Sequence, residues 1–291
     1  MRLDDESESS NVESQRGGFS FPGRGGGGLM LGGGRMGCGT LVVVIVLALV
    51  FGINPLQLLG GGEVISPQQQ LETEHGQAAL GNDPTRHMVA KVLGSTERVW
   101  GTLFATRGRE YQPTTLVFYD RSGVSGCGAA QSAMGPFYCP SDEKVYLDTA
   151  FFEELRSRFG APGEFAEAYV VAHEVGHHVQ KLLGIADRVA REQGRASREE
   201  ANALQVKTEL QADCFAGVWA ANDKNLLEPG DVESGLRAAQ AIGDDTLQKQ
   251  AQGYVVPESF THGSSAQRIS WLKRGIEGGD MAQCDTFGSR A

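Results

Sequence analysis

The stretch Tyr169-Val170-Val171-Ala172-His173-Glu174-Val175-Gly176-His177-His178 decides how the rest of this chain is read. It contains the pattern HExxH, two histidines four positions apart with a glutamate beside the first. On an α-helix, positions i and i+4 share a face, so His173 and His177 can present their imidazoles to one metal ion. Glu174 sits beside that face, where a general base for a metal-activated water belongs. Val170, Val171 and Ala172 precede the motif and mark the helix as a buried one. Two histidines and a glutamate cost free energy there unless they have partners, so a surface helix with incidental histidines fits poorly. His178 points about 100° away from His177 and is assigned to solvent or packing.

A catalytic zinc site takes a third protein ligand and keeps a position for water. The strongest candidate is Glu209, in Glu209-Leu210-Gln211-Ala212-Asp213, with Asp213 or His262 as fallbacks. Asp213 lies one turn beyond Glu209 on the same face, placed to accept a hydrogen bond from the outer nitrogen of a ligand histidine. Taken alone, E-x-x-x-D is equally well a solvent-facing pair. Cys214 lies about 100° around that helix from Asp213, which suits a core or disulfide role.

Around these helices the chain reads as α+β. Met88, Val89, Val92, Val99, Trp100 and Leu103 recur at helical spacing over 85–106. Residues 114–119 (TTLVFY) have strand composition, and 137–138 with 145–147 flank Pro140-Ser141-Asp142 as a hairpin. Helices are expected at 150–159, 163–184, 197–222, 231–250 and 264–277, with Ser197 and Glu200 forming a capping box. Strands first and helices afterwards suggest a small sheet beside a helical layer.

The N-terminal part differs in kind, since 16 of the 40 glycines precede residue 63. Such a segment cannot bury a core, so 1–35 reads as disordered, 60–82 as a linker and 83–291 as the folded domain. Residues 36–59 carry no charge and Leu41 to Phe51 is continuously apolar. At about 1.5 Å per residue, roughly 20 such residues cross a bilayer, which makes 36–59 a transmembrane anchor. A cleaved signal peptide fits less well, because 35 residues precede the run and no A-x-A-like site follows it. Arg24 and Arg35 precede the run and the next basic residue is Arg86, which keeps the N-terminus cytoplasmic and sends the domain across.

The net charge of -10, with no run of Lys or Arg, argues against a nucleic-acid partner. The four N-terminal arginines are opposed by Asp4, Asp5, Glu6, Glu8 and Glu13. An oxidising compartment would permit two disulfides, most simply Cys127–Cys139 and Cys214–Cys284, although four cysteines allow three pairings. Cys38 stands alone at the apolar run, and no C-x-x-C spacing supports a four-cysteine zinc site.

HEVGHH followed by ELQADCFAG at 209–217 resembles the gluzincin arrangement, HExxH plus E-x-x-x-D. The single apolar span, GCG at 126–128, GPFYCPSDEKVYLD at 135–148, AHEVGHHVQ at 172–180 and THGSSAQR at 261–268 together resemble the bacterial putative neutral zinc metallopeptidase family. The resemblance implies a zincin-like domain and one Zn2+ bound by His173, His177 and Glu209. It further implies Glu174 as catalytic base and Asp213 as support for a ligand histidine. His262 resembles a late histidine that related enzymes place beside the metal, where a donor could stabilise an oxyanion; a loop histidine capping the final helix is the other reading. The 135–148 hairpin could hold an extended substrate by β-pairing or merely pack on the helices, and Tyr138 and Tyr146 read as strand packing.

The resulting expectation is a single-pass, membrane-anchored zinc endopeptidase acting on peptide or protein substrates through a zinc-activated water. The resemblance sets it at a bacterial inner membrane, in the periplasm or at the cell surface. The rival is a catalytically silent, zinc-stabilised envelope binding or assembly protein, which would have no use for Glu174.

Overall fold

The computed structural model describes residues 1–16, 72–223 and 226–288. Among the described residues, seven short strands form two sheets. The larger has the order β2-β1-β3-β7-β6 and the smaller pairs β4 with β5. The strands are β1 (Val12–Arg16), β2 (Glu72–His75), β3 (Thr115–Phe118), β4 (Ser122–Ser125), β5 (Gly128–Gln131), β6 (Phe137–Cys139) and β7 (Lys144–Leu147). β3 runs parallel to both β1 and β7, whereas β6 and β2 pair antiparallel at the two edges. The helices are α1 (Gln77–Leu80), α2 (Pro84–Ala105), α3 (Ala150–Ser157), α4 (Glu164–Leu182), α5 (Ile185–Gln193), α6 (Arg198–Asn222), α7 (Asp231–Ala241), α8 (Asp244–Gln252) and α9 (Ser265–Gly278).

Local chemistry explains most boundaries. Asp83 caps α2 by accepting the Thr85 N–H at 2.9 Å, with Pro84 at the first helical position. Ser197 and Glu200 form the expected capping box on α6, and Ser264 with Gln267 forms another on α9. Gly184 takes a left-handed conformation and separates α4 from α5, and Gly243 divides the expected 231–250 helix into α7 and α8. A side chain at Gly243 would fall 2.5 Å from the Ser265 nitrogen, so the break brings α8 against the start of α9.

The mixed α+β expectation holds, and both disulfides have the simplest pairing, Cys127–Cys139 and Cys214–Cys284. The N-terminal expectation needs correction. Residues 1–16 are not a structureless tail, because Val12–Arg16 forms β1 in the interior of the larger sheet. Nor is 60–82 wholly a linker, since β2 and α1 lie within it. A five-residue strand with one apolar side chain has almost no signal of its own. What makes β1 a strand is backbone pairing to two partners distant in sequence. The β4–β5 hairpin was equally hidden, being mostly serine, glycine and alanine. The expected anchor at 36–59, Cys38 and the linker over 60–71 lie outside the described residues. Among the described residues no helix is long and apolar enough to cross a membrane.

The core lies where α2, α4, α6 and α9 pack together. Trp100, Phe104, Phe165, Tyr169, Phe215 and Trp219 are buried there. α6 and α9 touch backbone to backbone: a Cβ on Gly275 would lie 2.1 Å from the Cys214 carbonyl oxygen, and one on Gly217 would lie 2.3 Å from that of Leu272. This close approach carries Arg268, on α9, to the inner face of α6.

Candidate metal centre

Helix α4 buries its motif as its composition demands, with His173 and Glu174 only 6% and 8% exposed. Gly176 lets α6 approach, since a Cβ there would lie 3.0 Å from the Ala212 carbonyl oxygen and 3.1 Å from its Cα. The crossing at Gly176 and Ala212 brings Glu209 to the two imidazoles. His173 Nε2 lies 3.2 Å from His177 Nε2 and 3.1 Å from Glu209 Oε2, and His177 Nε2 lies 3.5 Å from that oxygen. Ligands at tetrahedral corners with zinc bonds of 2.0–2.1 Å stand roughly 3.3 Å apart. The three donors therefore fit a tetrahedral ion, and two imidazoles with a carboxylate is a donor set of zinc hydrolases.

Each donor is aimed by a second residue. Asp213 Oδ1 accepts from His173 Nδ1 at 2.8 Å, and Gln180 Oε1 accepts from His177 Nδ1 at 2.9 Å. Both bonds put the ring proton on Nδ1 and leave the Nε2 lone pair for a metal. The Gln180 amide is itself fixed, donating to the Thr208 carbonyl at 2.7 Å and to Gln211 Oε1 at 3.1 Å. Gln205 Nε2 donates to Glu209 Oε1 at 2.8 Å, which turns Oε2 toward the histidines. Asp213 is fully buried and accepts three further bonds, from Tyr169 Oη at 2.5 Å, Arg268 Nε at 2.9 Å and Arg268 Nη2 at 2.8 Å.

Burial would push the Asp213 carboxyl up, but the Arg268 guanidinium and His173 hold it down at about 2. Burial likewise works to lower His173, yet Asp213 and Glu209 raise it to about 9 in the absence of metal. Against its desolvation, Glu209 is held well below the usual carboxylate range by the imidazoles. Glu174 goes the other way, since burial raises it more than the neighbouring histidines lower it. A carboxyl raised in this way holds a proton more readily, as a base beside a metal requires.

Two measurable consequences arise here. Replacing Gln180 by leucine removes the acceptor that fixes the His177 tautomer, so zinc affinity should fall roughly 10- to 100-fold. Competition with a fluorescent chelator reads this directly, and an unchanged affinity would remove Gln180 from the site. The second concerns pH. A His173 raised from 6.5 to about 9 stabilises the metal-free fold fully below pH 6.5, and that contribution is lost as pH rises through about 9. At neutral pH the metal-free His173 is therefore protonated, and zinc uptake must release that proton. Calorimetric zinc titrations in buffers of different ionisation enthalpy should give different apparent heats; identical heats would refute the protonated state.

The other expected residues are distributed as follows. Asp213 stands behind His173 rather than in the donor group, so it is no third ligand. His262 is not in that group either. It lies between α8 and α9, its side chain about half exposed, with Nδ1 3.3 Å from Asp244 Oδ1. Burial works to lower its pKa, but Asp244 and the charge of Glu209 raise it above the usual histidine value. His178 is buried, its Nε2 donating to the Gln112 carbonyl at 2.7 Å while Nδ1 accepts from Tyr138 Oη at 3.1 Å. Tyr146 donates to Asp142 at 2.7 Å and stacks on Phe137. Tyr169, Gln180 and the role of Arg268 escaped the sequence. Tyr169 could have been found one turn before His173 on the same face, and Gln180 three residues after His177. Nothing local marks Arg268, which reaches the site only through the packing of α9 on α6.

The chain is similar to known proteins over nearly all its length. The family model described as putative neutral zinc metallopeptidase matches residues 1–287. The uncharacterized protein YpfJ of Escherichia coli strain K12 is 48% identical over 290 residues, covering 99% of each chain. The uncharacterized protein Rv2575 of Mycobacterium tuberculosis is 42% identical over 264 residues, covering 82% of this chain and 85% of that one. No solved structure gives a significant match.

Proposed function

Because the chain belongs to the putative neutral zinc metallopeptidase family, we propose that it is a zinc-dependent endopeptidase. The observation that supports this best is the buried Glu174 beside a convergent His173, His177 and Glu209 group. A structural zinc site closes its coordination with four protein ligands, whereas a catalytic one uses three and keeps a position for water. Glu174, on the motif helix, is the carboxylate that can act as base for that water. A zinc ion held by the three donors supplies Lewis acidity, polarising the scissile carbonyl and lowering the pKa of a water toward about 7.

The remaining work falls to the chain. The Glu174 carboxylate takes the proton of the attacking water and returns it to the amide nitrogen as the peptide bond breaks. Asp244 favours the charged form of His262, and the imidazolium donates from Nδ1 to Asp244 while keeping Nε2–H as a second donor that would serve the developing oxyanion. β6 is an edge of the larger sheet, and Tyr138 ties it to α4 through His178. An extended substrate added to this edge would run beside the metal helix. The two disulfides favour an oxidising, extracytoplasmic setting for the domain.

The test uses the full-length chain loaded with one equivalent of zinc and a diverse peptide pool. Cleavage that stops on chelation and returns with zinc is the expected result. One tightly bound zinc with no cleavage would favour the silent envelope binding protein.

A further inference from the structure

β1 is an interior strand. It pairs antiparallel with β2 on one side, Gln15 opposite Thr73, and parallel with β3 on the other, Val12 opposite Leu116. The residues before it lie along α2. The Ser9 N–H donates to the Ala90 carbonyl at 2.9 Å, and Lys91 Nζ donates to the Leu3 carbonyl at 3.1 Å. Ser9 Oγ and Asn11 Nδ2 both donate to Glu97 Oε1, at 2.6 and 2.9 Å. Gly94 gives this segment room, because a Cβ there would lie 2.2 Å from the Ser7 carbonyl oxygen. The chain end is held too: the Met1 α-amino group sits 3.0 Å from Glu228 Oε2 and 3.1 Å from Asp231 Oδ2.

These contacts join chain from before the apolar run to chain from after it. Strand hydrogen bonds and ion pairs at 3 Å cannot form across a hydrocarbon layer about 30 Å thick. We infer that residues 1–16 lie on the same side of any membrane as residues 72–288, so that the chain makes an even number of crossings, zero included, between Arg16 and Glu72. The length of 36–59 suits one helical crossing, and one is the number that the sheet excludes. The N-terminal segment therefore travels with the catalytic domain as part of its fold, and a fragment beginning after the apolar run lacks an interior strand.

Cysteine labelling in intact cells tests this with the full chain. In a Cys38→Ser background, Asp5→Cys and Lys273→Cys each place one free thiol at an exposed position, one on either side of the apolar run. A small membrane-impermeant maleimide is applied before and after permeabilisation. The two positions should behave alike: both labelled if the domain is outside, both protected until permeabilisation if it is inside. Labelling of one with protection of the other overturns the inference. As a second reading, Gln15→Cys with Thr73→Cys, neighbours in register, should form a disulfide in the full-length protein under oxidising conditions. Failure of that bond in purified, folded, zinc-loaded protein would show that β1 is not in the sheet.

Discussion

Glu174→Gln is expected to keep one equivalent of zinc and lose roughly a hundred- to ten-thousand-fold in peptide turnover, the range that a positioned general base contributes. Glutamine has the same shape, so the packing of α4 around a side chain only 8% exposed should survive. It cannot take a proton at its Oε, so only that function is removed. Glu174 is not among the three convergent donors, so metal content should not change. Bound zinc and single-turnover cleavage, measured on one preparation, separate the outcomes. Full turnover in Glu174→Gln would move the base elsewhere, and loss of zinc would make Glu174 a ligand.

Arg268→Met should destabilise the protein by about 3–5 kcal/mol, the cost of removing one partner from a buried ion pair. Arg268 is 2% exposed and Asp213 fully buried, so no solvent compensates for the lost guanidinium. For a domain of this size each kcal/mol shifts Tm by about 2–4 °C, which predicts a fall of roughly 6–20 °C. Without Arg268, the influence that holds Asp213 near 2 is lost, its carboxyl takes up a proton more readily, and its grip on His173 weakens. Zinc affinity should then drop by roughly 10- to 100-fold as well. Adding Asp213→Asn to Arg268→Met should recover part of the stability, because no buried charge is left alone, but should not recover zinc affinity. Thermal unfolding of the metal-free proteins measures the first effect and chelator competition the second. A Tm within a degree or two of the parent would show that the pair is not coupled as the geometry states.

The site was legible wherever its residues share one helix. His173 and His177 are fixed as a pair by 3.6 residues per turn, and Glu174 follows from adjacency. Glu209 and Asp213 form a second such pair, one turn apart on α6. Their helical capping was equally visible, since Ser197 and Glu200 interact over three residues. Tyr169 and Gln180 stood at legible spacings on the same helix as the histidines. They went unread because tyrosine and glutamine are ordinary helix residues until a partner is known.

Other features depended on distant chain. The E-x-x-x-D pair could have faced solvent; the crossing at Gly176 and Ala212 is what turns Glu209 toward the imidazoles. Arg268 becomes the partner of Asp213 only because Gly217 and Gly275 let two helix backbones touch. β1 is the clearest case. Local composition assigned residues 1–16 to a structureless tail, and pairing to β2 and β3 made five of them an interior strand. Sequence by itself determined the metal-donor chemistry, the amphipathic helices and the caps, because those depend on residues within a turn or two of each other. Tertiary structure decided which face met which, the partner of each buried charge and the place of the N-terminus. Those depend on hydrogen bonds and packing between segments whose own composition carries no trace of the partner.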